Sequence, residues 1–286
     1  GRGSLPAGVS SRGIVDAGRL ADSHEAALEG RSYILEITHR ELVDGRPVGV
    51  ARERGVVASP TMYRSTIQRV GSLRNDPMIL ADRSTYADGD NRYVRLDREN
   101  RTAYLRESPT LWRGGLRGRD RFVERTSAYV RWYLSVEQSW VAGVTERDGM
   151  KYYWVVTDGE PFPGYPNAKG SAVIDENGLV HELHRTYSDP DDVGREIHVS
   201  IRFTHLGNVT VTPPSWADEA RSEVGPATTD TAPPVTTAGP GTETVPTNAT
   251  GTTSTAAPTT TTTTATDSPN ATDGDTPTAD DSRRPS

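Results

Sequence analysis

Cysteine is absent from all 286 residues. That excludes disulfides, thiol nucleophiles and thiolate metal sites, so a folded part must be held by apolar burial. Lysine is nearly absent too. Lys151 and Lys169 stand against thirty arginines, a bias that points to a GC-rich genome and is compatible with a halophile. No apolar run approaches the roughly 20 residues of a membrane-spanning helix. The chain contains neither a phosphate loop nor a nucleophile elbow. The net charge of −7 sits mostly at one end: from Ser222 onward, eight acids face two arginines. The remainder is near neutral and its counts reveal no basic face, which argues against nucleic acid or an anionic membrane surface as partner.

That same end lacks core-forming side chains. Residues 222–286 contain no aromatic, no Leu and no Ile, and only Val224, Val235 and Val245 as large apolar groups. Such a stretch cannot offset its ordering entropy and is expected to be disordered. Thr and Pro dominate it, as in the run "TTSTAAPTTTTTTATDSPNAT" (252–272), which reads either as a plain low-complexity linker or as a sugar-bearing extracellular stalk. The sequons at Asn248 and Asn270 favour the stalk; Asn100 and Asn208 begin two further sequons. The expected organisation is a linker over 1–13, one domain over 14–220 and a tail over 221–286.

Within the domain, Asp16 is placed as an N-cap and Gly30 as a stop, so a helix is predicted over 17–29. The pattern then changes to period two: Tyr33, Leu35 and Ile37 alternate with Glu36, Thr38 and Arg40. Turn sequences at "VDGRP", "ADGDN", "DREN", "ERDGM" and "DENGL" separate strands by short gaps, which means antiparallel neighbours. "EIHVSIRFTHL" alternates most cleanly, and residues 197–203 are expected as a central strand. Between strands, Phe122, Thr126, Tyr129, Tyr133, Val136 and Trp140 recur at spacings of four and three, which predicts a long amphipathic helix over 118–141 lying on the sheet. The predicted class is α+β: a curved antiparallel sheet, an incomplete barrel, covering an N-terminal and a central helix, with a disordered tail behind.

Candidate chemistry is sparse. In "HELH", His181 and His184 are three apart on a predicted strand and project to opposite faces, so a shared metal is not expected. "DGDN" and "DPDDVG" are acid clusters that could hold a hard cation, but neither has calcium-loop spacing or its terminal Glu, and the first has the form of a tight hairpin turn. "GGLRG" (114–118) precedes the central helix and reads as a flexible lead-in rather than an anion loop. No catalytic set assembles, and neither a metal nor a cofactor is expected. The aromatic stripe is the remaining constellation. Phe122, Tyr129, Tyr133, Val136 and Trp140 either line a slot for a lipid or other apolar ligand, or fill a closed core.

"LADSHEAALEGRSYILEITHREL" (20–42) and "VSIRFTHLGNVTVTPPSWADEA" (199–220) resemble the uncharacterised lipoproteins of halophilic archaea, which are thought to share the fold of LolA-type carriers and of the LppX and LprG lipoproteins. The likeness spans residues 5–220. It implies an incomplete barrel with an apolar interior, no catalytic residues, and export to the outer face of the cell membrane on a lipid anchor that this chain does not contain. The reading is a non-enzymatic module that binds or carries an apolar ligand. The alternative is a surface interaction protein with a filled core.

Overall fold

The computed structural model describes residues 5–74, 83–98, 101–109, 121–159 and 165–225. The chain divides into two units, 1–229 and 230–286, and every described residue lies in the first. Residues 226–286, "GGLRG" and the sequons at Asn100, Asn248 and Asn270 fall outside the described residues.

A two-strand hairpin, β1 (Val9–Ser10) and β2 (Gly13–Ile14), leads into helix α1 (Ala17–Leu28). Asp16 caps α1 by accepting the Arg19 N–H at 2.9 Å, as the sequence suggests. Six strands follow: β3 (Tyr33–Val43), β4 (Arg46–Ser59), β5 (Met62–Gly71), β6 (Arg83–Asp88), β7 (Arg92–Arg98) and β8 (Arg101–Glu107). Helix α2 (Arg121–Leu134) precedes β9 (Gln138–Arg147), β10 (Met150–Asp158), β11 (Lys169–Asp175), β12 (Val180–Ser188) and β13 (Arg195–Thr204). Helix α3 (Ala217–Val224) closes the fold.

Strands β3 to β13 form one antiparallel sheet in the order β8-β7-β6-β5-β4-β3-β13-β12-β11-β10-β9. The sheet is open, with β8 and β9 as edges. The chain enters near the middle on β3, runs by hairpins to one edge, re-enters at the opposite edge on β9 after α2, and returns to the middle on β13. The strand expected at 197–203 therefore lies inside the sheet, between β3 and β12.

Period-two alternation decides the two faces. On the inner face, Leu35, Ile37, Ile201, Phe203 and Leu183 are buried against α1 and α2. The two helices pack on each other, and Ser127 donates to the Ala21 carbonyl at 3.1 Å. Phe122 meets Tyr63 edge to face at 5.0 Å and rests on Gly55, where a Cβ would come within 3.3 Å of the ring. The opposite face carries a second, smaller core. Tyr86, Tyr93 and Tyr104 of β6–β8 receive Trp216, Ala217 and Ala220 of the α3 segment, with Tyr104 and Trp216 stacked at 6.0 Å.

Three expectations need correction. The central helix ends at Leu134, not at 141: residues 138–147 are β9, paired with β10 across the Asp148–Gly149 turn. The helical spacing from Val136 to Trp140 is coincidental, because a hairpin at "ERDGM" needs a strand on its N-terminal side. The fold also begins before residue 14, since Val9 is buried and the Ile14 N–H donates to Ser139 Oγ at 2.8 Å. It continues past residue 220 to Gly225, whose carbonyl accepts from Arg106 at 2.6 Å.

Candidate functional site

The inner face changes character along the strands. Val155, Ala172, Leu183, Ile201 and Ile37 stand side by side on five neighbouring strands and make an apolar row. One inward step further, towards the C-terminal end of α2, the row reads Thr157, Gly170, Arg185, Val199 and His39. Beyond it come Tyr187, Ile197 and Glu41. The apolar surface under the helices thus runs out into a buried polar strip.

Arg185 dominates that strip. It is 1 % exposed, and among the described residues no acid pairs with it. Its guanidinium donates to Thr157 Oγ1 at 3.0 Å and to the Gly159 carbonyl at 2.6 Å, while Nε has no partner. The stem lies across Gly170, where a Cβ would sit 3.2 Å from Arg185 Cδ and 2.8 Å from Thr157 Oγ1. Glycine is required at that position by this close approach. Burial lowers the guanidinium to about 10, which leaves it cationic at neutral pH; Tyr133, the exposed Asp158 and Tyr187 act the other way. A cation removed from water and met, among the described residues, by neutral oxygens is expensive to hold.

Phenols surround it. Burial first, then Tyr187 and Tyr129, hold the Tyr133 hydroxyl well above its usual range. Burial and Tyr165 push Tyr187 up to about 12. Tyr129 and Tyr133 lie 5.7 Å apart on α2, and Tyr165 meets Tyr187 edge-on at 5.0 Å. The neighbouring charges are already satisfied. Glu41 accepts from Arg195 at 2.6 Å, from the Arg74 N–H at 3.0 and 3.1 Å, and lies 3.2 Å from His39 Nε2. Glu53 pairs with Arg125 at 2.8 Å.

Of the five residues expected to line a slot, the structure brings three together. Phe122 and Tyr129 are buried on α2, and Tyr133 is partly buried at its end. Val136 lies in the turn after the helix. Trp140 stands on β9 opposite Val156, on the face away from the helices, 46 % exposed. The residues missed are Arg185, Thr157 and Tyr187. A signal for two of them existed: in "LVHELHRTY", the alternation that turns Leu183 inward also turns Arg185 and Tyr187 inward.

The other sequence candidates have structural roles. His181 pairs with Asp175 at 2.9 Å, while His184 is exposed beside Glu182. Burial alone would raise Asp175. Hydrogen bonds from His181 and from the Leu179 and Asn177 N–H groups bring it below its usual value instead. "DGDN" is the β6–β7 turn, where the Asn91 N–H donates to Asp88 Oδ1 at 3.0 Å. In "DPDDVG", Asp189 accepts from the Asp191 N–H, and Asp192 pairs with Arg195. Asn208 lies exposed in the loop after β13.

His24 is a buried residue not singled out from sequence. Its Nδ1 accepts the Val180 N–H at 3.2 Å, so Nε2 carries the proton and lies 3.3 Å from Thr126 Oγ1; that hydroxyl donates to the Phe122 carbonyl at 2.8 Å. Burial, then the nearby His181, lower it to about 3, against a smaller opposing effect of Asp175. It ties α1, α2 and the start of β12 together as a neutral ring.

No protein-family model matches the chain, and no curated protein matches it. Among solved structures it is similar to LprF from Mycobacterium bovis, at 11% identity over 69% of this chain and 96% of that one, with a TM-score of 0.38. The lipoprotein LppX from Mycobacterium tuberculosis matches at 12% over 68% and 97%, with a TM-score of 0.33. A LolA superfamily protein from Nitrosomonas europaea matches at 9% over 70% and 96%, with a TM-score of 0.27.

Proposed function

We propose that this chain is a non-enzymatic binding protein for an amphipathic acid, with an apolar body and one acidic head. The apolar body lies along the inner face beside Tyr129 and Tyr133, and the head meets Arg185. The observation that carries this reading is Arg185 itself, a buried cation with a free Nε–H and no carboxylate partner among the described residues. A carboxylate or phosphate head would supply the missing charge and acceptor. The Thr- and Pro-rich composition after residue 222 and its two sequons support an exported protein. The resemblance at both ends of the domain supports a lipid-anchored position outside the membrane.

A second reading is a surface interaction protein with a filled core. It is favoured by Phe122, fully buried on Tyr63 and Gly55. Binding of an environment-sensitive fatty-acid probe, measured beside its methyl ester, separates the two. The first reading expects saturable binding of the acid, at least about tenfold weaker binding of the ester, and Arg185→Met binding both equally. No saturable binding, or acid and ester bound alike by the wild type, would reject it and leave the interaction protein.

A further inference from the structure

The outer face of the sheet holds a groove of about 720 Å³, in the size range of small-molecule sites. It crosses β3 to β6 and is walled on one side by Pro214–Trp216, the segment that leads into α3. The floor is a grid fixed by register. Thr38, Arg52 and Gln68 make one row; Glu36, Arg54, Thr66 and Ser84 make the next; Val56 and Arg64 begin a third. Arg52 and Arg64 therefore lie two rows apart, roughly 13 Å along the strands, with Arg54 between them.

The charges on this floor do not cancel. Arg54 is paired with Glu36 at 3.5 Å, both half exposed. Glu53, which also borders the groove, is committed to Arg125 beneath the sheet. Arg52 and Arg64 have neither an ion-pair nor a hydrogen-bond partner among the described residues. Segment-by-segment charge counts could not reveal this patch, because strand alternation gathers onto one face arginines that are scattered in the sequence.

We infer that this groove binds an acidic oligosaccharide, one that carries carboxylate or sulfate groups on its sugar rings. Two free guanidinium groups, separated along a line, suit anionic groups repeated along an extended ligand. Between them the floor offers hydroxyls and amides rather than apolar pockets, and Thr66, Gln68 and Ser84 suit ring hydroxyls. A peptide would need a pocket for an apolar anchor. A nucleic acid would need an open aromatic face, and Trp216 is buried against Tyr104.

Titration calorimetry on the full chain tests this with four probes at matched ionic strength: a heparin-derived tetrasaccharide, trigalacturonate, maltotriose and inorganic sulfate. At least one acidic saccharide should bind saturably and more weakly as salt rises. The first two probes tell sulfate from carboxylate. Arg64→Gln and Arg52→Gln should each cost about tenfold, whereas Arg147→Gln on the far edge strand should change nothing. Each variant is first shown to melt as the wild type does. The inference fails if neither acidic saccharide binds, if maltotriose binds as tightly, if inorganic sulfate binds as tightly as both acidic saccharides, or if the Arg52→Gln/Arg64→Gln double variant binds like the wild type.

Discussion

At the scale of single residues, Arg185 separates a binding role from a structural one. Arg185→Met keeps the apolar stem over Gly170 and removes the buried charge. It leaves Thr157 and the Gly159 carbonyl without a donor, which costs about 1–3 kcal/mol, but it also removes the desolvation of a cation, which favours the variant. Ligand-free stability should stay within about 1 kcal/mol of wild type in urea unfolding. If Arg185 served the fold, the same change would cost about 3 kcal/mol or more, because each of its two charge-assisted hydrogen bonds would be worth about 1.5–3 kcal/mol. Gly170→Ala makes the complementary test. Its Cβ would meet the His184 carbonyl at 2.7 Å and Thr157 Oγ1 at 2.8 Å, so the urea midpoint should fall by an amount equivalent to about 1–3 kcal/mol.

His24 sets a pH dependence at the same scale. Its folded value of about 3 lies below the ordinary 6.5, so the unfolded chain binds the extra proton first. Stability is therefore complete above pH 6.5 and is lost as pH falls from 6.5 towards 3, by up to about 1.4 kcal/mol per pH unit from this ring alone. Urea midpoints measured between pH 7 and 4.5 should show that slope, and His24→Gln should flatten it. A midpoint for the wild type that does not move over this range would contradict the buried neutral assignment.

At the scale of elements, α3 is the piece whose boundary matters. Arg221 in its last turn pairs with Asp88 at 3.3 Å and lies 5.8 and 5.7 Å over the rings of Tyr86 and Tyr93. Val224 packs against the same tyrosine cluster. A chain ending at Ala220 should melt several degrees below one ending at Gly225, by loss of about 1–2 kcal/mol of such contacts. Equal melting temperatures would mean that the last turn of α3 is not part of the fold. Helix α3 was not legible in the sequence. "PPSWADEARSEV" is short and polar, and the tyrosines that receive it are brought together only by pairing of β6, β7 and β8. The α1 boundaries, in contrast, follow from Asp16 and Gly30. The strands follow from their alternation and from the turn glycines, Gly45, Gly89, Gly149 and Gly178, which take positive φ. The end of α2 was misread because spacings of three and four continue by chance through a turn into β9.

At the scale of the whole molecule, the sheet's two faces are unlike. The inner face is an apolar field under α1 and α2 that ends in a buried cation; the outer face is covered by α3 at one side and carries beside it arginines with no ion-pair partner among the described residues. The α+β class and the antiparallel sheet were readable from turn spacing and period two. The site was only half readable. Tyr129 and Tyr133 sit on a helix whose stripe is visible in one dimension. Arg185, Gly170 and Thr157 come from three strands, and no linear pattern shows that they meet. The most direct test of the central claim is native mass spectrometry of the full chain purified from its own host, wild type beside Arg185→Met. The account expects the wild type to carry a bound acidic amphiphile, released on unfolding and identified by its mass, and the variant to carry far less of it. Wild-type protein found only at its bare mass, or a lipid retained equally by both, would contradict it.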